Sequence, residues 1–138
     1  ISAVDMTPLG DVTSNWALES SGRYRRNSNS GAEIIAFFNV VPGTIITDLR
    51  IKGYDAGSDG MDLNFISRRD DTNTAESYTV ISNDSIGGYG SNFVYDFDVT
   101  NTTAVSGYLY GFKITYLEDA GGTSKIFSVG FKTSKRVQ

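Results

Sequence analysis

The densest set of groups able to do chemistry is the run Asp55-Ala56-Gly57-Ser58-Asp59-Gly60-Met61-Asp62, with Asp48 a short way upstream. Carboxylates on a glycine-rich loop supply the oxygen ligands that Ca2+ gathers, about six to eight at a time. Asp55, Asp59 and Asp62 are therefore the candidate Ca2+ ligands, and Ca2+ is the one cofactor the chain offers a place for. The run lacks the layout of an EF-hand loop, and the same residues also favour a hairpin turn. Asp70-Asp71 and Asp96 with Asp98 form two further acidic pairs, and glycoside hydrolysis needs two carboxylates across a cleft. Asp96 and Asp98 fall on one side of a strand, where alternating acids keep an outer face soluble and discourage edge pairing. That second role is the one read here, and no catalytic residue is assigned.

Aromatic side chains are the other candidates. Aromatic faces stack on sugar rings, and Trp16, Tyr24, Tyr54 and Tyr89 are the candidate ligand-binding residues, the three tyrosines because they lie beside turns. Tyr108, Tyr110 and Tyr116 share a face with Phe112 and Ile114 and read instead as core residues with a polar tip. Arg23-Tyr24-Arg25-Arg26 and residues 132–136 are local basic clusters able to meet a phosphate, an acidic glycan or a partner's carboxylates. Arg68-Arg69 beside Asp70-Asp71 reads as exposed ion pairs. Gly87-Gly88-Tyr89-Gly90 lacks the Lys-Ser/Thr and helix of a phosphate loop. Asn83-Asp84-Ser85 and Asn101-Thr102-Thr103 match the N-glycosylation pattern, both at predicted turns.

Composition removes whole classes of chemistry. The 138 residues contain no Cys and no His. That excludes disulfides, thiolate zinc sites and every Ser-His or Cys-His nucleophile. Twelve basic against sixteen acidic residues give a net charge of −4, so no global positive field draws nucleic acid. No apolar run approaches the roughly 18 residues that a membrane-spanning helix needs. The opening at Ile1, with no charged-then-apolar leader, reads as that of a mature or excised chain.

The elements that must position these groups are strands. In 44–52, Ile45, Thr47, Leu49 and Ile51 fall on one face and Ile46, Asp48, Arg50 and Lys52 on the other. Met61, Leu63 and Phe65 alternate with Asp62 and Asn64. The pattern recurs through Phe93, Tyr95, Phe97 and Val99, through Tyr108 to Tyr116, and through Phe127, Val129 and Phe131. Period 2 means one buried and one solvated face, the mark of antiparallel sheet. Further strands are expected at 2–6, 16–19, 32–38 and 77–82, with turn clusters at 27–31, 42–43, 55–60, 70–73, 87–90, 101–103 and 120–123. About nine strands in one domain over 1–138 predict an all-β antiparallel sandwich of jelly-roll-like topology.

In order along the chain come Ile1-Ser2-Ala3, Gly22-Arg23-Tyr24, Pro42-Gly43-Thr44-Ile45-Ile46, Tyr54-Asp55, Arg68-Arg69-Asp70 and Tyr108-Leu109-Tyr110, closed by a strand around 126–132. This succession resembles a family of small secreted bacterial β-sandwich proteins of uncharacterised function. Val41-Pro42 stands where that pattern has Leu-Pro. The resemblance implies a secreted sandwich and brings no active site with it.

Two functions are expected to compete. The first is a non-catalytic, extracellular structural subunit of a shell, appendage, filament or fibre head, a homo-oligomer assembling through edge strands or termini. The alternative is a carbohydrate-binding module with a glycan as its partner and Ca2+ in the 55–62 loop. Neither calls for nucleic acid or a membrane span.

Overall fold

Among the described residues, ten strands build two antiparallel sheets and no helix occurs. The computed structural model describes residues 7–8, 16–18, 24–26, 33–55, 60–71, 78–88, 90–116 and 125–135. Seven strands are long: β4 (Glu33–Phe38), β5 (Thr44–Asp55), β6 (Met61–Arg69), β7 (Thr79–Ile86), β8 (Ser91–Thr103), β9 (Tyr108–Tyr116) and β10 (Lys125–Lys135). β1 (Thr7–Pro8), β2 (Trp16–Leu18) and β3 (Tyr24–Arg26) are two or three residues each. The expected nine strands thus become seven long ones and three short segments. The first sheet runs β1-β4-β9-β6-β7 and the second β2-β3-β10-β5-β8.

The core lies between the sheets. Ile34, Met61, Leu63, Phe65, Phe112 and Ile114 of the first sheet meet Ile46, Leu49, Ile51, Phe97 and Val129 of the second, all at most 3% exposed. Phe65 is its centre, stacked with Tyr110 at 6.3 Å and edge-on to Phe131 at 5.6 Å. Such aromatic pairs add about 0.5–1.5 kcal/mol to what their burial contributes.

Irregularities in the ladders move some side chains from the expected face. Ile46, not Ile45, is buried, because the register of β5 shifts between Ile46 and Asp48 against β8 and at the matching place against β10. A single bulge reverses which alternate residues point inward. The shift between Ile126 and Ser128 in β10 likewise sends Ile126 and Val129 into the core and leaves Phe127 half-buried. Tyr110 is core with a polar tip, its hydroxyl accepting from the Val105 amide at 3.0 Å. Tyr108, expected beside it, is 41% exposed because it opens β9 beyond the edge of the core. Asn83 and Asn101 lie within β7 and β8, not in turns.

β7 and β8 each form one edge of their sheets and are tied together. The Tyr95 hydroxyl of β8 donates to Asp84 Oδ2 of β7 at 2.5 Å, and the Thr100 amide donates to Ser82 Oγ at 2.8 Å. Asp84 stands opposite Leu63 and so points inward at the rim of the sandwich, where Tyr95 meets it.

Candidate functional site

The outer face of the first sheet carries a polar cleft of about 550 Å3 built from four adjacent strands. The register explains its composition. Glu33 of β4 stands beside Thr115 of β9, Thr115 beside Asp62 of β6, and Asp62 beside Ser85 of β7. One rung along, Lys113, Asn64 and Asn83 stand side by side. These seven residues alternate with core positions, so the same pleat that buries Leu63 and Ile114 presents them outward. Glu33 and Asp62, one strand apart across Thr115, are about 10 Å apart by Cα, two inter-strand spacings.

Two interactions set the charge in the cleft. Lys113 Nζ lies 3.6 Å from Glu33 Oε1, and its side chain is only 18% exposed. Burial pulls the Lys113 ammonium down, but hydrogen bonding to Tyr78 and the Glu33 charge outweigh it and hold Lys113 above its ordinary value. Asp62 Oδ1 accepts from Ser85 Oγ at 2.5 Å.

Beside the cleft, the same face turns aromatic. Phe37 of β4 and Tyr78, just before β7, lie with ring centroids 6.4 Å apart and tilted by 50°. The Arg68 guanidinium sits 4.3 Å from the Phe37 centroid, and Lys113 Nζ 5.6 Å from that of Tyr78. These are cation–π distances. Gly111 makes this possible. It stands between Phe37 and Ile66 in the ladder, and a Cβ there would lie 2.0 Å from the Ala36 carbonyl oxygen and 2.9 Å from Phe37 Cδ1. Ile35 and Ile66 alternate with core residues yet are at most 1% exposed, so they are covered, and the half-buried Phe37 and Tyr78 are the aromatic groups this half of the outer face presents. The aromatic pair and the neighbouring rim of amides, hydroxyls and charges form an amphipathic surface able to stack on a ring and hydrogen-bond its substituents.

The residues singled out by the sequence are placed differently. Asp62 lines the cleft. Asp55 is fully buried at the end of β5, opposite Ser91 in the second sheet, whereas Asp62 belongs to the first. Asp59 lies outside the described residues. Among the described residues no three acidic side chains gather into a group able to hold a metal. Tyr54 is half-buried near the end of β5. Trp16 and Tyr24 open β2 and β3, but their side chains, like Tyr89 as a whole, lie outside what is described. In the sequence Phe37, Tyr78 and Lys113 read as ordinary strand residues, and only the folded sheet brings them together.

The remaining charges sit elsewhere. Asp96 is bridged by Arg50 Nε and Nη2 at 2.8 and 2.9 Å and by Lys132 Nζ at 2.8 Å. Hydrogen bonds from Arg50, then Lys132, hold its carboxyl well below the usual carboxylate range. Arg69 pairs with Asp71 at 2.8 Å, both largely exposed, as the sequence leads one to expect.

No family model matches the chain, and no curated protein matches it. Among solved structures it is similar to the Podospora anserina GH26-CBM35 β-(1,4)-mannanase, with a TM-score of 0.59 at 14% identity. The match covers all of this chain, which spans 28% of the length of that protein. At that identity the likeness concerns the fold: an antiparallel β-sandwich.

Proposed function

We propose that this β-sandwich is a non-catalytic carbohydrate-binding module working outside the cell, with the outer face of β4, β9, β6 and β7 as its glycan site. The observation that carries the reading is the continuity of a polar cleft with the Phe37–Tyr78 pair on one sheet face. Ligand sites couple apolar surface to a few placed polar groups, and a saccharide offers both faces at once. The neighbour's description names a CBM35 unit in a β-(1,4)-mannanase, which makes β-(1,4)-linked mannan the first ligand to try. The strand orders β3-β10-β5-β8 and β4-β9-β6-β7 support reading the chain path as a jelly roll. Isothermal titration against mannan, glucan and xylan oligosaccharides tests the proposal. Binding that Tyr78→Ala weakens supports it; a folded protein that binds none of them refutes it.

The structural-subunit reading draws on a different observation. Among the described residues β8, thirteen residues long, has β5 as its one sheet neighbour, so its outer edge, apart from the Thr100 amide bound to Ser82, offers a template for strand addition by a second copy. Light scattering separates the two: a concentration-independent monomer removes this reading, and a defined oligomer favours it. Ca2+ remains a proposal for the 55–62 loop, tested by its effect on melting temperature.

A further inference from the structure

We propose that one end of the sandwich holds a second saccharide subsite, built by the β4–β5 turn, the residue after β6 and the β8–β9 turn. It stands on residues apart from the outer-face cleft and does not depend on that reading. Of the five large hydrophobic residues that stand exposed among those described, three meet here: Val41 at 75%, Val105 at 49% and Tyr108 at 41%. With Pro42 they share a groove of about 320 Å3 with Asn39, Asp70 and Ser106. An aromatic ring and aliphatic groups beside a carboxylate, an amide and a hydroxyl form the surface that a neutral sugar matches, C–H face on the ring and hydroxyls on the polar groups. Volumes of this order lie at the small end of ligand pockets, suited to a short saccharide or a chain end.

The backbone argues against other occupants. The amides of Gly43 and Ala104 donate to Ala104 and Thr44 carbonyls at 2.9 and 2.8 Å, and Thr44 donates to Val41 at 3.1 Å. Asp70 donates to Gly107 at 3.0 Å, and Val105 donates to the Tyr110 hydroxyl at 3.0 Å. With these donors spent, an extended peptide finds few main-chain partners for strand addition, whereas a sugar is recognised through side chains. The same bonds fix the turns, so the apolar groups are held outward without ordering on binding. Arg69, opposite Tyr108 in the ladder, carries its guanidinium on Asp71, which leaves Asp70 to set an acidic groove that disfavours phosphate and uronate ligands.

The test is an amide-resolved NMR titration of the whole chain with β-(1,4)-linked mannan, glucan and N-acetylglucosamine oligosaccharides. Shifts are expected at the amides of Val40, Val41 and 105–108, saturating independently of those at 62–64 and 83–85. Tyr108→Ala is expected to weaken the rim response about tenfold, and Asp70→Asn, which keeps the backbone bond to Gly107, is expected to weaken it as well. Cleft shifts stay unchanged in both variants. Shifts confined to the cleft, or rim shifts that survive both substitutions, overturn the inference while leaving the cleft reading intact. Shifts confined to the rim overturn the cleft reading and uphold the inference. No shift at either place with any of the three sugars refutes both.

Discussion

Tyr78 joins the two halves of the candidate site: its ring meets Phe37 on one side and Lys113 on the other. Tyr78→Ala removes the stacking surface and is expected to lower glycan affinity about tenfold by titration calorimetry. Tyr78→Phe keeps the ring but loses the hydroxyl's hold on Lys113, and is expected to retain most of the affinity. Asp96 gives a second expectation, concerned with stability. Its carboxyl is depressed in the folded state by Arg50 and Lys132, so its contribution is complete above the ordinary carboxylate value near 3.9. That contribution is lost as pH falls through the lower folded value. All three groups are substantially exposed, so the contribution is small and screened by salt. Asp96→Asn should therefore flatten the acid limb of the melting-temperature profile, with a difference from the parent that fades in molar salt. The residues of the cleft itself were half legible. Asp62 stands out by its carboxylate, but Glu33 and Lys113 are unremarkable until the register brings them near it, and Tyr78 until its ring meets Phe37 and Lys113.

Strand alternation told which elements exist, because period 2 survives in sequence wherever the ladder is regular. Met61, Leu63 and Phe65 are all fully buried, as that period requires. It failed at the register shifts around Thr47 and Phe127, where one residue out of step reverses the inward set and leaves no mark in side-chain type. Two elements give sharp expectations. Gly111→Ala forces a methyl group against the Ala36 carbonyl and Phe37. It should cost about 1–3 kcal/mol in chemical denaturation, as overpacking does, and displace the aromatic pair, so glycan affinity falls with stability. The β7–β8 edge is held by the Tyr95–Asp84 hydrogen bond. Tyr95→Phe leaves a carboxylate at the rim without that donor and should cost about 1.5 kcal/mol, the low end for a bond to a charged group. An unchanged denaturation midpoint in that variant would mean that the edge is held by its ladder and core contacts instead.

At the scale of the molecule, the outer face of one sheet and the rim of one end are the two proposed ligand surfaces, and the chain passes from β5 in one sheet to β6 in the other through the 55–62 loop. If that loop takes Ca2+, millimolar Ca2+ raises the melting temperature by binding the folded state alone, and Asp59→Ala abolishes the rise. No rise in the parent chain disposes of the site. The sandwich architecture was legible in the sequence because nearly every long strand alternates. Function was not, because a candidate site spread over four strands has no contiguous motif. The central claim is that the face formed by β4, β9, β6 and β7 binds a glycan, and calorimetric titration of the parent chain and Tyr78→Ala with β-(1,4)-linked oligosaccharides tests it most directly. The account expects saturable binding by the parent, weakened about tenfold by the substitution; equal binding by both chains, or none by the folded parent, would contradict it.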